Sequence, residues 1–495
     1  MTYITFLLFA VSVFLIYKGK IFKSTLVSSK LIAFVFAIKF LFIILFVSYL
    51  DKHKEFDLKG DHDYYLHDAK VLNNVFYQSP TTYFKLLSGL DNSEDTRDKY
   101  LSETRIWINP YLEYNDCRSV IRAHSIVDFI ANGNPYFHLL LVNFLSVFSM
   151  LLLIKVVSKH VSATSTLFLV LSLAIPTIFI YGNLVMKEHF LIFGFSALLY
   201  GLSTKKLKSI YTWIGLLFLL SVKIYIFGIL LLATIIYYSL KLVHKNVYKI
   251  GILTTYLTLL VMILFTPFGT KIVFHISKQQ YDFDKVATKG LYLHDEALKN
   301  DSHYFYLNVE DTAYFKYQDD ANVVLIQDLT IAKHKWLNNE FLDSIHHAKG
   351  HAFHLDMVVP KTSGSYVPPF FIHYDKVRLL KNIPSSIFYT LTQPTLNSPG
   401  SVAKYPIILE TLSVLLLSFF SLGYALFYNR QKLFSAFSIA VLFFISVSAF
   451  LVGVTTPVIG AMVRYRVPTY FAIILLAFIL INPIWKKKSL ASQEK

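Results

Sequence analysis

Long apolar runs recur along the whole of this 495-residue chain and constrain its fold more than any other feature. A helix that crosses a bilayer needs about 20 mostly apolar residues. Runs of that kind lie at 2–17, 31–50, 137–154, 163–182, 184–203, 247–267, 405–427, 433–453 and 466–485. The stretch 210–240 is too long for one pass and is interrupted at Ser221-Val222-Lys223, so we expect a tight hairpin of two short helices there. The sequence therefore predicts an all-α polytopic membrane protein with about eleven transmembrane helices.

The distribution of charge predicts how these helices are oriented. Only 16% of the residues are charged, whereas soluble domains carry roughly 25%. With the N-terminus outside, the inner segments hold 18 Lys and Arg and one acid, while the two long outer loops are acidic or neutral. Cationic residues concentrate in short cytoplasmic loops. The net charge of +16 is therefore a signal of topology, which excludes nucleic acid as a partner and places the C-terminus in the cytoplasm.

The ends of the chain and its single cysteine limit where the protein resides. The first run has its lysines after it rather than before it, so we expect an anchor and not a cleaved signal peptide. Cys117 is the only cysteine, which excludes an internal disulfide and a thiolate zinc cluster. The compact loops and the composition rich in Ile, Lys and Phe favour the bacterial inner (cytoplasmic) membrane.

These signals divide the chain into membrane segments and two large extracytoplasmic loops. The predicted parts are helices 1–2 at 1–50, the first loop at 51–136, a central bundle at 137–267, the second loop at 268–404, C-terminal helices at 405–485 and a tail at 486–495. In the first loop, Val120, Ile121, Ile126, Val127 and Ile130 are spaced to line one face of a helix lying on the membrane. In the second loop we expect a helix from Val323 to His347.

Acidic residues open the first loop about ten residues beyond the second helix. Asp61, Tyr65, Asp68 and Ala69 share a face if this stretch is helical. A carboxylate at the mouth of a membrane cavity can take a proton from a hydroxyl nucleophile. Asp61 and Asp63 also form Asp-x-Asp, so they are the residues we expect to hold a divalent cation if one is bound. The alternative is an acidic turn that caps a helix.

Cationic residues stand at three other positions that the topology places outside. Lys187 can contact an anionic group that Glu188 orients, or the two can form a solvated ion pair in an ordinary loop. Arg464 and Arg466 begin the last helix, where forked guanidinium donors suit a phosphate and where snorkelling to lipid headgroups is the alternative. Lys223 lies at the tip of the predicted hairpin. Together the four cations favour a lipid phosphate as the ligand.

Two further polar groups carry weaker signals. Glu410 lies inside the ninth pass and reads either as a buried functional acid or as an interfacial one. A group of four histidines resembles a metal tract, but its spacing matches no known motif, so a solvated loop is the better interpretation. These histidines are His346, His347, His351 and His354.

The motifs resemble those of a known superfamily. The first loop opens with Gly-Asp-x-x-x-Tyr-x-x-x-Ala at 60–69, and Pro-Thr-x-x-x-Tyr-x-x-x-x-x-Lys-Glu follows at 176–188. Together with 383–394, Leu409-Glu410 and 460–468, this order resembles the GT-C superfamily of integral-membrane glycosyltransferases. The nearest likeness is to bacterial family-39-like proteins and to a less characterised bacterial branch of them.

The resemblance implies a donor sugar on a polyprenyl phosphate or diphosphate, transferred to a glycan or lipid acceptor on the outer face among membrane lipids. It implies a carboxylate base in the first outer loop, carried here by Asp61 with Asp63 as the other candidate. Phosphate binding maps by position to Arg464 and Arg466. Two departures bear on the substrate: the better known members have Asp-Glu where this chain has Asp-His-Asp, and Lys223 stands where the related branch has Arg-Pro.

The predicted mechanism is direct displacement at the anomeric carbon. Asp61 removes the acceptor proton, and Arg464, Arg466, Lys187 and Lys223 stabilise the charge on the leaving phosphate, with Tyr65, Glu188 and Glu410 in support. One alternative is a polymerase of the O-antigen or capsule type that joins lipid-linked repeat units. Another is a lipid-linked sugar transporter, although such proteins usually contain inverted repeats and none is evident here.

Overall fold

The computed structural model describes most of the chain. The described residues are 3–22, 27–52, 60–91, 93–107, 116–158, 175–204, 206–294, 305–307, 313–319, 322–337, 340–359, 361–400, 402 and 404–493. The chain divides into two compact units. The first comprises Met1–Tyr237, Leu416–Phe444 and Val467–Lys495, and the second comprises Tyr238–Leu415 and Ile445–Arg466. Each unit is described by itself below.

Helices account for most of the structure. In chain order they are α1 (Tyr3–Lys18), α2 (Ser29–Lys52), α3 (Gly60–Gln78), α4 (Pro80–Ser88), α5 (Glu94–Tyr100), α6 (Asp116–Ala131), α7 (Pro135–Val157), α8 (Pro176–Tyr181), α9 (Lys187–Thr204), α10 (Ile210–Val222), α11 (Ile224–Lys241), α12 (Asn246–Leu264), α13 (Pro267–Ala287), α14 (Lys376–Thr392), α15 (Lys404–Tyr428), α16 (Arg430–Leu433), α17 (Ala436–Thr455), α18 (Ile459–Tyr465) and α19 (Val467–Gln493). The mostly helical, polytopic membrane architecture is therefore confirmed.

The membrane-spanning helices agree with the sequence in part. Among the described residues, six helices are long and apolar enough to cross a bilayer: α2, α7, α11, α12, α15 and α17. Helices α18 and α19 are separated by a short break at which the chain bends by 49°. If the pair is counted as one span, it gives a seventh. Helices α1 and α10 are apolar but shorter, and most of the predicted run 163–182 lies outside the described residues. The eleven-pass topology remains a prediction.

The break predicted within 210–240 is confirmed, because α10 ends at Val222 and α11 begins at Ile224. Helix α10 packs closely against α9 at Gly201 and Gly215, while Phe218 contacts Phe190 and Phe193 elsewhere between the two helices. A Cβ atom on Gly215 would collide with the backbone nitrogen of Leu198, and one on Gly201 would collide with Thr212. Small residues at such an interface let membrane helices approach closely. The contact fixes the positions of Lys187 at the start of α9 and Lys223 at the end of α10.

The second outer loop contains β-structure, and the predicted helix from Val323 to His347 is wrong. All the strands pair antiparallel; one sheet has the order β2-β1-β7-β4-β3, and β5 pairs with β6. The strands are β1 (Gly290–His294), β2 (Phe305–Leu307), β3 (Phe315–Tyr317), β4 (Asn322–Leu325), β5 (Leu329–Leu337), β6 (Glu340–His347) and β7 (Ala352–Val359). In β4, Val323 and Leu325 are buried while Asn322 and Val324 are not. This two-residue period is that of a strand, so the all-α class holds for the membrane part only.

The predicted first outer loop folds into helices that share one hydrophobic core with residues of α7, α9 and α10. Tyr65, Val120 and Ile121 are buried together with Trp107 from the α5–α6 connection. The prediction of a helix near Arg118–Ile130 is confirmed, but the predicted apolar face is wrong. Val120 and Ile121 point into the protein core, whereas Ile126 and Ile130 are exposed on another side. The buried face of α6 also carries His124 and Asp128, polar residues that hydrophobic periodicity does not place inside.

Candidate functional site

The N-terminus of α3 lies against the turn that precedes α9, both in the first unit. The ring of His62 is fully buried, and its Nδ1 accepts a hydrogen bond of 3.0 Å from the backbone N–H of Val185. This bond joins two segments that are 123 residues apart in the chain. It brings Asp61, which precedes His62, to the segment that contains Lys187 and Glu188. The sequence indicated the two segments separately, and the structure places them together.

Tyr65 lies at the centre of this contact. Its side chain is 1% exposed, and its hydroxyl donates a hydrogen bond of 3.1 Å to Cys117 Sγ. Burial raises the pKa of Tyr65 well above its ordinary value, the positive charge of Lys187 opposes that shift, and the negative charge of Asp61 adds to it. Both charges therefore lie within electrostatic reach of one phenol. The phenol stays neutral and serves as a donor.

Lys187 and Lys223 lie at the ends of two helices that pack against each other, α9 and α10. Lys187 is buried as the first residue of α9, where the helix dipole is positive and anions are stabilised. Lys223 is half-buried directly after α10, with its ammonium 5.6 Å from the Tyr225 ring centroid. Its neighbour Val222 packs in the same core cluster as Tyr65. The first unit thus brings Asp61 and Tyr65 to the segment that contains Lys187, and the neighbour of Lys223 belongs to the same hydrophobic cluster.

Asp61 and Asp63 differ in their surroundings. Asp61 is half-buried and Asp63 is exposed, and both belong to the first turn of α3. Residues two apart on a helix do not face each other, so a helical Asp-x-Asp does not suit chelation of one cation by both carboxylates. Within the described ranges, no group of three or more His, Cys, Asp or Glu residues is arranged to hold a metal ion. Of the two carboxylates, Asp61 is therefore the better candidate to act beside Tyr65 and Lys187.

Asp68 shares a helix face with Asp61 but has a different environment. It is fully buried, and its carboxylate accepts three backbone N–H bonds, from Arg105 at 2.8 Å, Ile106 at 2.9 Å and Trp107 at 3.1 Å. These bonds use most of the acceptor capacity of the carboxylate. Asp68 therefore fixes the connection between α5 and α6 and does not take part in the candidate chemistry.

Arg466 belongs to the second unit and is enclosed by protein groups there. Its guanidinium is fully buried and donates to the carbonyl oxygens of Thr390 and Gln393 and, at 2.8 Å, to the hydroxyl of Thr411. Since these contacts hold the guanidinium within the protein, the predicted phosphate-binding role does not fit Arg466. We reassign Arg466 to positioning. Glu410, next to Thr411, is likewise buried.

Arg464, also in the second unit, is placed differently. Its side chain is half-buried, its Nη2 donates a 3.4 Å hydrogen bond to the Tyr465 hydroxyl, and its guanidinium lies 5.2 Å from the centre of that ring. Of the two predicted arginines, Arg464 is thus the less buried one, and its phosphate-binding role remains a prediction.

The histidine group of the second outer loop lies at the turn between β6 and β7. His347 is buried with its ring 4.6 Å from that of His351 and 4.9 Å from that of Phe353, measured between centroids. His346 and His354 are exposed on the two strands. The solvated loop predicted for this group is therefore wrong for His347, whose buried ring packs against His351 and Phe353.

The sequence reasoning missed a set of buried histidines in the first unit. His124, His138 and His189 are each at most 2% exposed, and their rings lie next to one another with Asp128 beside them. The only sequence signal was the spacing of His124 and Asp128, four residues apart on one face of α6. A single histidine within an apolar helix gives no sign of its partners on other helices.

The comparisons with known proteins contribute no relative. No family model matches the chain, and no match is found among the curated proteins or the solved structures. The functional assignment therefore depends on the geometry of the site and on the resemblance of its motifs.

Proposed function

We propose that the protein is a membrane glycosyltransferase that moves a sugar from a polyprenyl-phosphate-linked donor to a glycan or lipid acceptor on the extracytoplasmic face. The observation that carries the proposal is the 3.0 Å hydrogen bond between Val185 and His62, which brings the segment with Asp61 to the segment with Lys187. One negative group and one positive group at a common point are what a displacement with an anionic leaving group requires. The motif resemblance supplies the class of donor.

In the proposed reaction, the acceptor hydroxyl attacks the anomeric carbon while Asp61 takes its proton. The bond from that carbon to the phosphate oxygen breaks, and the oxygen keeps the electron pair. Lys187 and the positive end of α9 stabilise the developing charge. Lys223 is a further candidate for this role, since its neighbour Val222 belongs to the same hydrophobic cluster as Tyr65. Arg464, Arg466 and Glu410 belong to the second unit, and a phosphate-binding role for Arg464 remains a prediction from the sequence.

Asp61→Asn and Asp63→Asn form a matched pair that tests the proposal. The purified protein is incubated in detergent with radiolabelled sugars on polyprenyl phosphate and a mixture of lipid-linked acceptors. We expect Asp61→Asn to lower transfer by about 10²–10⁴-fold, the contribution of a general base, and Asp63→Asn to retain activity because its carboxylate faces solvent. Binding of polyprenyl phosphate, compared with polyprenol, is measured in parallel and should be unchanged by Asp61→Asn and weakened by Lys187→Gln.

The results of these experiments distinguish the proposed glycosyltransferase from a polymerase and from a transporter. Wild-type activity in Asp61→Asn would show that Asp61 is not the base. A ladder of long glycans instead of single-sugar addition would reassign the protein as a polymerase. Equal affinity for polyprenol and polyprenyl phosphate would remove the phosphate site and with it the proposed donor class. Transfer by the purified protein, without a second compartment, excludes transport as its sole role.

A further inference from the structure

Helix α14 of the second unit slopes from the ends of two membrane spans toward the interior of the bilayer. Near its start, Leu379 packs in one hydrophobic cluster with Val454 of α17, and Leu264 of α12 packs against the same cluster. Val454 and Leu264 lie at the C-terminal ends of these two spans. Near the end of α14, the Thr390 hydroxyl donates a 2.7 Å hydrogen bond to the carbonyl oxygen of Ala449. Ala449 precedes Val454 by more than one helical turn, so this contact lies about 8 Å deeper along α17.

Close packing and a buried cation hold α14 in this position. A Cβ atom on Gly453 of α17 would collide with the backbone carbonyl of Ser386 in α14, so the two helices touch without a side chain at this point. Arg466 donates to the carbonyl oxygens of Thr390 and Gln393 at the C-terminus of α14, where the helix dipole is negative and a cation is stabilising. These carbonyl oxygens are therefore satisfied by protein groups, as a helix end at membrane depth requires.

One side of α14 is not covered by protein. Val377, Lys381, Ser385 and Phe388 are all exposed and follow one another at spacings of three or four residues, so they form one stripe along the helix. Phe388 is 69% exposed, and it stands two residues before Thr390, whose contact with α17 lies at membrane depth. An aromatic ring that protein leaves uncovered at this depth contacts lipid chains. The stripe therefore begins near the ends of the spans and ends in the hydrocarbon region.

Aromatic and cationic side chains also lie close together where α12 is followed by α13. Phe265, directly after α12, is exposed, and the Lys376 ammonium lies 5.8 Å from the centre of its ring. Phe268 and Lys271 are three residues apart in α13 and are both exposed. In an interfacial helix, such residues place their apolar parts in the acyl boundary and their ammonium groups among the headgroups. The start of α13 thus carries the same combination of residues as the exposed stripe of α14.

The charge of this region has one sign. Residues 264–281 and 376–409 contain six Lys and Arg and no Asp or Glu. Asp375, directly before α14, caps that helix by accepting the backbone N–H groups of Val377 and Arg378. The stretch 268–404 holds 14 cations and 14 acids as a whole, so all of its acids lie outside these two segments. A concentration of cations at the ends of membrane spans attracts anionic headgroups.

We infer that the exposed faces of α13 and α14 form a binding surface for anionic phospholipids. Lys271, Arg378 and Lys381 are all exposed and contact the headgroup phosphates, while Phe388 packs among the acyl chains below them. An anionic phospholipid fits because it carries its charge directly above its hydrocarbon chains, the order in which the surface presents its cations and its aromatic ring. The surface belongs to the second unit, and the inference does not depend on sugar transfer.

The depth of α14 is tested first. In a Cys117→Ser background, Ser385→Cys and Phe388→Cys are labelled with a nitroxide and reconstituted into bilayers, and Lys349→Cys at the turn between β6 and β7 is the control. Electron paramagnetic resonance compares collision of the nitroxide with oxygen, which concentrates in the bilayer, and with a water-soluble nickel chelate. We expect oxygen to dominate at positions 385 and 388 and the chelate to dominate at 349. Dominance of the chelate at 388 would place the end of α14 in water and overturn the inference.

The preference for anionic lipid is tested second, with a fluorophore attached to Ser385→Cys. Its quenching is measured in bilayers that contain phosphatidylglycerol or phosphatidylcholine with a nitroxide on one acyl chain. We expect stronger quenching by phosphatidylglycerol. Each cation removed should weaken that preference by up to about fivefold, the contribution of one Lys or Arg near an anionic surface. The combined variant Lys271→Gln/Arg378→Gln/Lys381→Gln should therefore be quenched almost equally by the two lipids.

A matched variant removes the same charge from the rest of the stretch 268–404. Lys316→Gln/Lys349→Gln/Lys361→Gln replaces three exposed lysines in or next to the strands, and it should keep the wild-type preference. Equal quenching by both lipids in the protein without these changes, or an equal loss of preference in the two combined variants, would overturn the inference. Displacement of phosphatidylglycerol by a small amount of polyprenyl phosphate would assign the surface to that lipid and reject it as a phospholipid site.

Discussion

Asp61 and Asp68 lie two turns apart on α3 and differ in what surrounds them. Asp68 is fully buried against three backbone N–H groups, whereas Asp61 is half-buried beside a cluster of charged side chains. A buried carboxylate that accepts backbone hydrogen bonds stabilises the fold. A carboxylate that keeps access to the outer face can exchange protons with a ligand. Sequence spacing put both residues on one helix face but gave no means of separating these roles.

The contrast predicts different stabilities for two substitutions. Asp68→Ala leaves the N–H groups of Arg105, Ile106 and Trp107 without their acceptor, and an unsatisfied buried donor costs about 1–3 kcal/mol. We expect a loss of unfolding free energy of about 3 kcal/mol in total, read as a clear fall in the thermal midpoint of the purified protein. Asp61→Asn should leave the midpoint unchanged. Equal midpoints for the wild-type protein and Asp68→Ala would show that this carboxylate does not hold the α5–α6 connection.

The close packing of α9 against α10 determines where two cations of the site lie. Lys187 begins α9 and Lys223 follows α10. Gly201 and Gly215 let the two helices approach closely at these two positions. The apolar runs predicted the approximate positions of both helices, because hydropathy sets the position of a span. The closeness of their approach was not predictable, since glycine in an apolar run gives no sign of which neighbour it faces.

Gly215→Ala and Gly228→Ala test the close contact between α9 and α10. The methyl group at position 215 would meet the backbone of α9, whereas one at position 228 in α11 would meet nothing within 4 Å. We expect Gly215→Ala to destabilise the protein by about 1–3 kcal/mol, as overpacking does, and to weaken polyprenyl phosphate binding because α10 moves away from α9. Gly228→Ala should preserve both stability and binding. A stable Gly215→Ala variant with full lipid binding would contradict the close packing.

At the scale of the whole molecule, the sequence predicted the membrane helices far better than the outer domains. Long apolar runs have one stable outcome in a bilayer, because a helix satisfies every backbone polar group internally. The strands of the second loop are short, and their two-residue pattern, as in Val323 and Leu325, extends over too few residues to compete with a helical interpretation. The neighbouring buried rings of His124, His138 and His189 come from three helices and from positions as many as 65 residues apart. Only the fold brings such residues together.

The proposed site depends on the predicted orientation of the chain across the membrane. Cysteine labelling tests this orientation. Cys117→Ser removes the native thiol while keeping an acceptor for the Tyr65 hydroxyl. In that background, single cysteines replace exposed residues of the first outer loop, the second outer loop and the α11–α12 connection. These variants are Glu94→Cys, Lys349→Cys and Lys245→Cys.

We expect a membrane-impermeant maleimide to label Glu94→Cys and Lys349→Cys in intact spheroplasts and to label Lys245→Cys only after permeabilisation. The physical reason is the concentration of Lys and Arg in the connections predicted to be cytoplasmic. Labelling of Lys245→Cys in intact cells, with protection of the other two, would invert the topology. Asp61 and Lys187 would then face the cytoplasm, where nucleotide-activated sugars are available, and a donor linked to polyprenyl phosphate on the outer face would no longer follow.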